Sequence, residues 1–130
     1  MIWLIEYIED RRYVRITYQD LFSIAEHFAA ITELLSLDFW QPGTPILIDH
    51  RKLDFGGTNI DIIKQASEFH QMNNDRLGAS RIALLMKSMA DFGRGRQFEL
   101  LTKGKISTLI EVFLEEEKAL DWLLKNSIHK

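Results

Sequence analysis

The sequence predicts an α/β fold with the element order β-β-α-β-α-β-α-β-α. Two observations predict it. Apolar and polar residues alternate over residues 12–18, as in a half-buried strand, and apolar residues then recur at helical spacing. Farther along, short apolar runs alternate with amphipathic segments, which is typical of parallel strands joined by crossover helices. We therefore expect a five-stranded, mostly parallel mixed sheet, with an antiparallel N-terminal strand at one edge, and four helices.

The first three predicted elements are a hairpin and a helix. Strand-like runs at residues 2–8 and 12–18 flank a polar turn, so they predict an antiparallel pair. Asp20 then precedes a helical repeat of apolar residues, and its carboxylate is the expected N-cap. The Gln-Pro-Gly-Thr-Pro segment at residues 41–45 predicts the end of that region.

The rest of the chain predicts three strand–helix pairs. Residues 46–49 predict a short strand buried on both faces, and Gly56 and Gly57 interrupt the loop that follows. Thr58 is the expected N-cap of the next helix, and Gly104 is the expected C-cap of the helix after that. The remaining predicted elements are a doubly buried strand at residues 81–86, a helix at 90–103, a last strand at 108–113 and a last helix at 115–126.

Composition limits the class of protein. A chain of 130 residues fits one domain, spanning 1–130, and 46% hydrophobic with 27% charged residues is typical of globular proteins. The formal net charge of −3 argues against nucleic-acid binding. No apolar run is long enough to span a bilayer, and residues 1–5 carry no basic leader, so we expect a cytoplasmic protein. The lack of cysteine excludes disulfides and thiolate chemistry.

Five short motifs run in order from the third strand to the last helix. They are Ile-Leu-Ile-Asp-His-Arg-Lys-Leu-Asp at residues 46–54, Arg-Ile-Ala-Leu at 81–84, Phe-Gly-Arg-Gly-Arg-Gln-Phe at 92–98, Val-Phe at 112–113 and Ala-Leu-Asp-Trp-Leu at 119–123. Their order and spacing resemble those of the bacterial STAS-like proteins of the SpoIIAA-like type. The resemblance covers nearly the whole chain.

This resemblance implies a compact α/β domain and a regulatory role. Most stand-alone members have no assigned activity, whereas the related anti-sigma-factor antagonists bind a partner kinase and are switched by phosphorylation of a serine. That serine lies in an Asp-Ser-Ser-Gly motif, where this chain has Gly56-Gly57-Thr58-Asn59, so Thr58 supplies a hydroxyl at the equivalent place. The resemblance thus implies a protein partner, such as a regulatory kinase or an anti-sigma-type factor, and phosphorylation of Thr58.

The candidate binding site lies at the carboxyl ends of the predicted parallel strands. Open parallel sheets bind ligands at this edge. The polar residues that the sequence brings there are Asp49, Arg51, Asp54, Thr58, Ser88, Asp91 and Arg94.

Each part of this site has two interpretations. Asp49 and Arg51 are two positions apart on an extended segment, so they form either a structural ion pair or a pair that orients a ligand. The Gly-Gly-Thr segment either binds an anion at a helix N-terminus or is a turn that ends in a cap. The arginines of Gly-Arg-Gly-Arg either contact a phosphate or pair with nearby acids, and the overall charge favours the second.

Catalytic and metal-binding motifs are missing from the sequence. The histidines, at positions 27, 50, 70 and 129, have no spacing typical of a metal site. A nucleophile elbow is also absent. We therefore expect a non-enzymatic protein without a cofactor or metal.

Two functions fit these expectations. The first is a regulatory or protein-interaction module, which the family resemblance favours. The alternative is a carrier or sensor of a small apolar ligand or lipid, in a cavity lined by Phe22, Phe28, Phe69 and Phe98. The N-terminal hairpin also offers an exposed edge that a second copy of the chain would cover, so we expect a homodimer.

Overall fold

A computed structural model of the protein describes residues 1–125, in which one mixed sheet is covered by helices. The strands are β1 (Ile2–Ile8), β2 (Tyr13–Leu21), β3 (Ile46–Asp54), β4 (Arg81–Leu85) and β5 (Leu109–Phe113). The helices are α1 (Ile24–Ser36), α2 (Ile60–Met72), α3 (Asn74–Leu77), α4 (Met89–Thr102) and α5 (Glu116–Leu123). Within the described residues, no helix is long and apolar enough to cross a membrane.

The sheet topology confirms the predicted architecture. The strand order is β1-β2-β3-β4-β5, with β1 antiparallel to β2 at one edge and the other neighbours parallel. The expected number of helices was wrong, because the short α3 lies between α2 and β4. Its four residues are too few to show a helical period in the sequence.

Two predicted N-caps were wrong. Asp20 belongs to β2, which pairs with β3 as far as Leu21, so α1 begins three residues later than expected. Ser23 caps α1 by accepting a hydrogen bond from the backbone N–H of Glu26. β2 is longer than the alternating segment of the sequence, because it continues to pair with β3 beyond that segment.

The second wrong cap is Thr58. Its hydroxyl donates to the backbone carbonyl of Phe55 and so closes the loop before α2. The neighbouring Asn59 caps α2 instead, since its side-chain oxygen accepts from the N–H of Ile62 at 3.1 Å. Gly104, the expected C-cap of α4, follows the cap residue and has the positive φ of +79° that suits a helix end.

The final helix and the third strand have bounds different from the predicted ones. α5 starts after Glu115, which is its N-cap, and ends at Leu123. Position 126, the expected end, lies outside the described residues. β3 continues to Asp54 rather than ending at Asp49, because its polar second half still pairs with β2.

The core lies on both faces of the sheet. On the face covered by α1, α2 and α4, Ile16, Ile48 and Ile82 are at most 2% exposed. On the face covered by α5, Leu47 and Leu85 are fully buried. The predicted burial of β3 and β4 on both faces is confirmed.

A bulge in β3 changes the direction of the side chains that follow it. Between the pairs Thr17–Asp49 and Gln19–Lys52, β2 advances by two residues and β3 by three. Before the bulge, Asp49 lies on the α5 face. After the bulge, Leu53 lies in the core of the opposite face, together with Ile48. The two residues are an odd number of positions apart, so plain alternation would place them on different faces.

Gly78 permits a close approach between two loops. Its φ is +80°, and a Cβ atom built there would lie 2.6 Å from the backbone nitrogen of Gly43. A Cβ at that distance from backbone atoms cannot be accommodated without moving one of the loops. The loop after α3 therefore packs tightly against the Pro-Gly turn before β3.

Candidate functional site

The structure divides the predicted site residues between two places. Asp49 and Arg51 lie on the α5 face of the sheet, in a cluster of charged side chains. The other five lie around the loops that follow β3 and β4, on the side covered by α2 and α4. Four of those five line a shallow groove there: Asp54, Ser88, Asp91 and Arg94.

The charged cluster consists of four side chains with no net charge. Arg51 donates to both carboxylate oxygens of Asp49, at 3.0 and 2.9 Å, and Arg15 donates to Asp49 Oδ2 at 2.7 Å. Both arginines also donate to Glu116 Oε1, at 3.1 Å from Arg15 and 2.8 Å from Arg51. Burial alone raises the pKa of Asp49, but its bonds to Arg51 and the charge of Arg15 lower that pKa overall. The cluster therefore ties β2, β3 and α5 together, which favours the ion-pair interpretation.

The groove residues are bonded mainly to their own loops. Asp54 accepts from the N–H of Gly56 at 2.8 Å, and Ser88 caps α4 by accepting from the N–H of Asp91. Arg94 donates to Asp91 Oδ1 at 2.9 Å. These contacts fold the two loops and hold Arg94 in place at their junction.

A pocket opens between the sheet and the helices on the side of α2 and α4. Its volume is about 70 Å³, and its floor consists of buried residues of β3 and β4 such as Ile48 and Leu84. Partly exposed residues surround its mouth. The residues that line it are Phe22, His27, Ile48, His50, Phe55, Thr58, Ile62, Ile63, Ala66, His70, Ile82, Leu84, Met86, Arg94, Gly95 and Phe98.

Two of the four phenylalanines expected to line a cavity do so. Phe22 and Phe98 belong to the pocket wall. Phe28 and Phe69 lie outside the wall and stack on each other, with their ring centroids 4.3 Å apart. Phe55 lies at the mouth, and the guanidinium carbon of Arg94 lies 5.7 Å from the centre of its ring.

Three histidines meet in the pocket wall. Tyr18 Oη lies 2.8 Å from His27 Nδ1, and His27 Nε2 lies 3.2 Å from His70 Nε2. The ring of His50 packs edge-on against Tyr18 at 5.4 Å and stacks with Phe55 at 5.7 Å. The fourth histidine, at position 129, lies outside the described residues. In residues 1–125, these histidines and the other His, Asp and Glu side chains form no group of three or more that could hold a metal ion.

Sequence reasoning missed this histidine cluster because it sought metal-ligand spacing. The sequence does contain a signal for the cluster, which is the helical spacing of the histidines among the buried residues of each helix. His27 follows Ile24 by three positions and precedes Ile31 by four, so it shares the buried stripe of α1. His70 follows Ser67 by three positions and Ile63 by seven, so it shares the buried stripe of α2.

Burial keeps these histidines neutral at pH 7. It lowers the pKa of His50 to about 4 and that of His70 to about 4, and it lowers that of His27 well below its ordinary value. We assign the Tyr18 hydroxyl as donor to His27 Nδ1, and His27 Nε2–H as donor to His70 Nε2. This assignment leaves one unpaired group, the Nδ1–H of His70, whereas the reverse one leaves two.

Comparisons with known proteins bear on the fold alone. Neither a family model nor a curated protein matches the sequence. The structure is similar to the crystal structure of an uncharacterized protein from the DUF3478 family, with a SpoIIAA-like fold, from Shewanella loihica PV-4. The alignment covers 94% of this chain and 92% of the other, with 21% sequence identity and a TM-score of 0.61. The order of strands and helices and this similarity together show that the chain has the SpoIIAA-like fold.

Proposed function

We propose that the protein is a non-enzymatic domain that carries or senses a small, largely apolar ligand. The observation that supports this most is the pocket on the α2–α4 side, because its wall is mainly aliphatic and aromatic. Such pockets with a few polar groups are typical of small-molecule sites.

The polar groups of the pocket support binding rather than catalysis. Of the residues in the described part of the chain, those that line it include no carboxylate, lysine, serine or cysteine. The histidines are buried and neutral, so they do not supply a charged acid at pH 7. Arg94, which could bind a charged group, already pairs with Asp91.

The volume of the pocket limits the size of the ligand. Space of about 70 Å³ for water-sized molecules exceeds the need of one water several-fold. It suits one ring or a short acyl chain. A long lipid would have to leave most of its length outside the mouth formed by Phe55, Thr58 and Ile62.

Native mass spectrometry of the protein purified from its own cells tests the proposal. We expect a bound species in addition to the bare chain mass. Ile62→Trp should abolish the bound species, because Ile62 lines the mouth and the indole would fill it. Ile60→Trp is the matched control, since Ile60 lies on the same helix, is 41% exposed and does not line the pocket. Equal loading of both variants would contradict the proposal.

A second candidate function, interaction with a protein partner, is supported by the exposed face of β1. Ile2 and Leu4 are 57% and 55% exposed on the same face of this strand. α5 packs on β3, β4 and β5 and leaves β1 uncovered, and β1 has one free edge. A second copy of the chain, paired edge to edge, would satisfy the free backbone groups and place side chains of its own β1 beside Ile2 and Leu4.

Light scattering tests this homodimer. We expect the mass of two chains for the unaltered protein and of one chain for Leu4→Lys. Leu100→Lys is the control, because Leu100 is similarly exposed, at 56%, but lies on α4. A monomeric unaltered protein would rule out this interface.

A further inference from the structure

His50 is a buried polar side chain whose hydrogen-bonding capacity is unused. The residue is 6% exposed and lines the pocket, between Tyr18 and Phe55. Its Nδ1 atom is fully buried and has no hydrogen-bond partner in residues 1–125. Because Nδ1 is enclosed, a ligand in the pocket can reach only the other ring nitrogen, Nε2.

The surroundings of the ring indicate where its proton lies. Burial lowers the pKa of the imidazole, and the nearby backbone carbonyls of Ile48 and Leu85 act in the opposite direction, although neither forms a hydrogen bond of ordinary geometry with Nδ1. Carbonyl oxygens attract a proton, and Nδ1 is the enclosed nitrogen. We therefore assign the proton to Nδ1, which leaves Nε2 with a lone pair on the ring edge that a bound molecule reaches.

The rest of the wall near His50 offers a ligand little other hydrogen bonding. Tyr18 and His27 are engaged with each other and with His70, whose one unpaired group, the Nδ1–H, is a donor, and the Thr58 hydroxyl donates to Phe55 at the pocket mouth. The charged groups on the remaining side are Arg94 and Asp91, which pair with each other. Inside the mouth, where the Thr58 oxygen lies, a donor on the ligand would therefore find its acceptor at His50.

We propose that the pocket selects a small apolar molecule that carries a hydroxyl group, which donates a hydrogen bond to His50. A phenol or a short alcohol has this chemistry. This inference rests on the proposed binding function and names the class of ligand for that pocket. His50 acts as the specificity-determining residue, while the aliphatic and aromatic wall holds the body of the molecule.

Phenol and toluene test the inference, because they have the same shape and differ in one hydroxyl group. Each is titrated at pH 7.5 into the full chain, and binding is followed by the NMR shifts of backbone amides around the pocket. Toluene is more hydrophobic than phenol, so it binds about tenfold tighter than phenol in a pocket that offers the phenol hydroxyl no hydrogen-bond partner. We expect phenol to bind the unaltered protein at least as tightly as toluene.

The variant His50→Phe should restore the preference for toluene to about tenfold, since a phenyl ring keeps the volume but accepts no hydrogen bond. His50→Gln provides a second variant that retains an acceptor and should keep the phenol binding. A tenfold preference of the unaltered protein for toluene would overturn the inference while leaving the binding function intact. Failure of both probes to bind would overturn the binding function and this inference with it.

Discussion

Acidification between pH 7 and pH 5 should destabilise the protein strongly, because three buried histidines cannot take up protons in the folded state. An unfolded chain binds protons at these side chains near pH 6.5. Burial lowers the pKa of His50 and of His70 to about 4 in the folded protein. The contribution of these neutral histidines to the unfolding free energy is therefore fully present above pH 6.5 and is lost as the pH falls toward 4.

The magnitude follows from these pKa values. Each of the two histidines removes about 2 kcal/mol of unfolding free energy between pH 7 and pH 5, or about 4 kcal/mol together. His27, whose pKa is also lowered, acts in the same direction. The charges of Asp49 and Asp91 favour protonation of His50 but are outweighed by its burial. A typical domain has about 5–15 kcal/mol in total, so this loss is a large fraction.

Urea denaturation at pH 7, 6 and 5, followed by circular dichroism, measures this loss. The Asp49 carboxyl does not contribute in this range, because its lowered pKa makes its effect appear only in stronger acid. The variant His50→Phe is the control and should reduce the difference between pH 7 and pH 5 by about 2 kcal/mol. An unfolding free energy of the unaltered protein that is constant within about 1 kcal/mol would refute the reasoning.

Three further substitutions test the packing described above by urea denaturation at pH 7. Asp49→Asn should lower the unfolding free energy by about 2 kcal/mol, because two arginines lose their carboxylate. Glu116→Gln should lower it by under about 1 kcal/mol, because the side chain of Glu116 is 38% exposed. Gly78→Ala should lower the unfolding free energy by about 2 kcal/mol or more, because its Cβ clashes with the backbone. Gly57→Ala should lower it by under about 0.5 kcal/mol, because the space around its Cβ is open. Equal effects would contradict the tight loop contact. Asn59→Ala should lower the unfolding free energy by about 1 kcal/mol, and Asn59→Asp should leave it almost unchanged, because aspartate retains the capping oxygen. No loss in Asn59→Ala would contradict the capping role of Asn59.

The architecture was predictable because each strand of the sheet shows its environment in its own residues. The continuous apolar runs of β3 and β4 indicate burial on both faces, which only a sheet between two helical layers provides. The alternation in β2 indicates one face that is partly exposed to solvent. These signals are local in sequence, and the alternation of strands with helices then indicates parallel neighbours joined by crossovers.

The site was less predictable because it depends on contacts between distant segments. Asp49 and Arg51 were correctly expected to be neighbours, but Arg15 and Glu116, which complete their cluster, are 34 and 67 residues away from Asp49. The histidine cluster unites α1, α2 and β3 in the same way. Phosphorylation of Thr58 and its partner kinase stay predictions, and the hydroxyl lies at the pocket mouth.

The extra residue in β3 makes one strand serve two purposes. As far as Arg51 its residues alternate in plain fashion, so an arginine reaches the terminal helix and the imidazole of His50 enters the opposite layer. The extra residue lets the strand present both of these side chains and still return Leu53 to the interior, opposite Asp20 of β2. A strand one residue shorter at this point would keep its later pairing but would lose either the arginine or the imidazole.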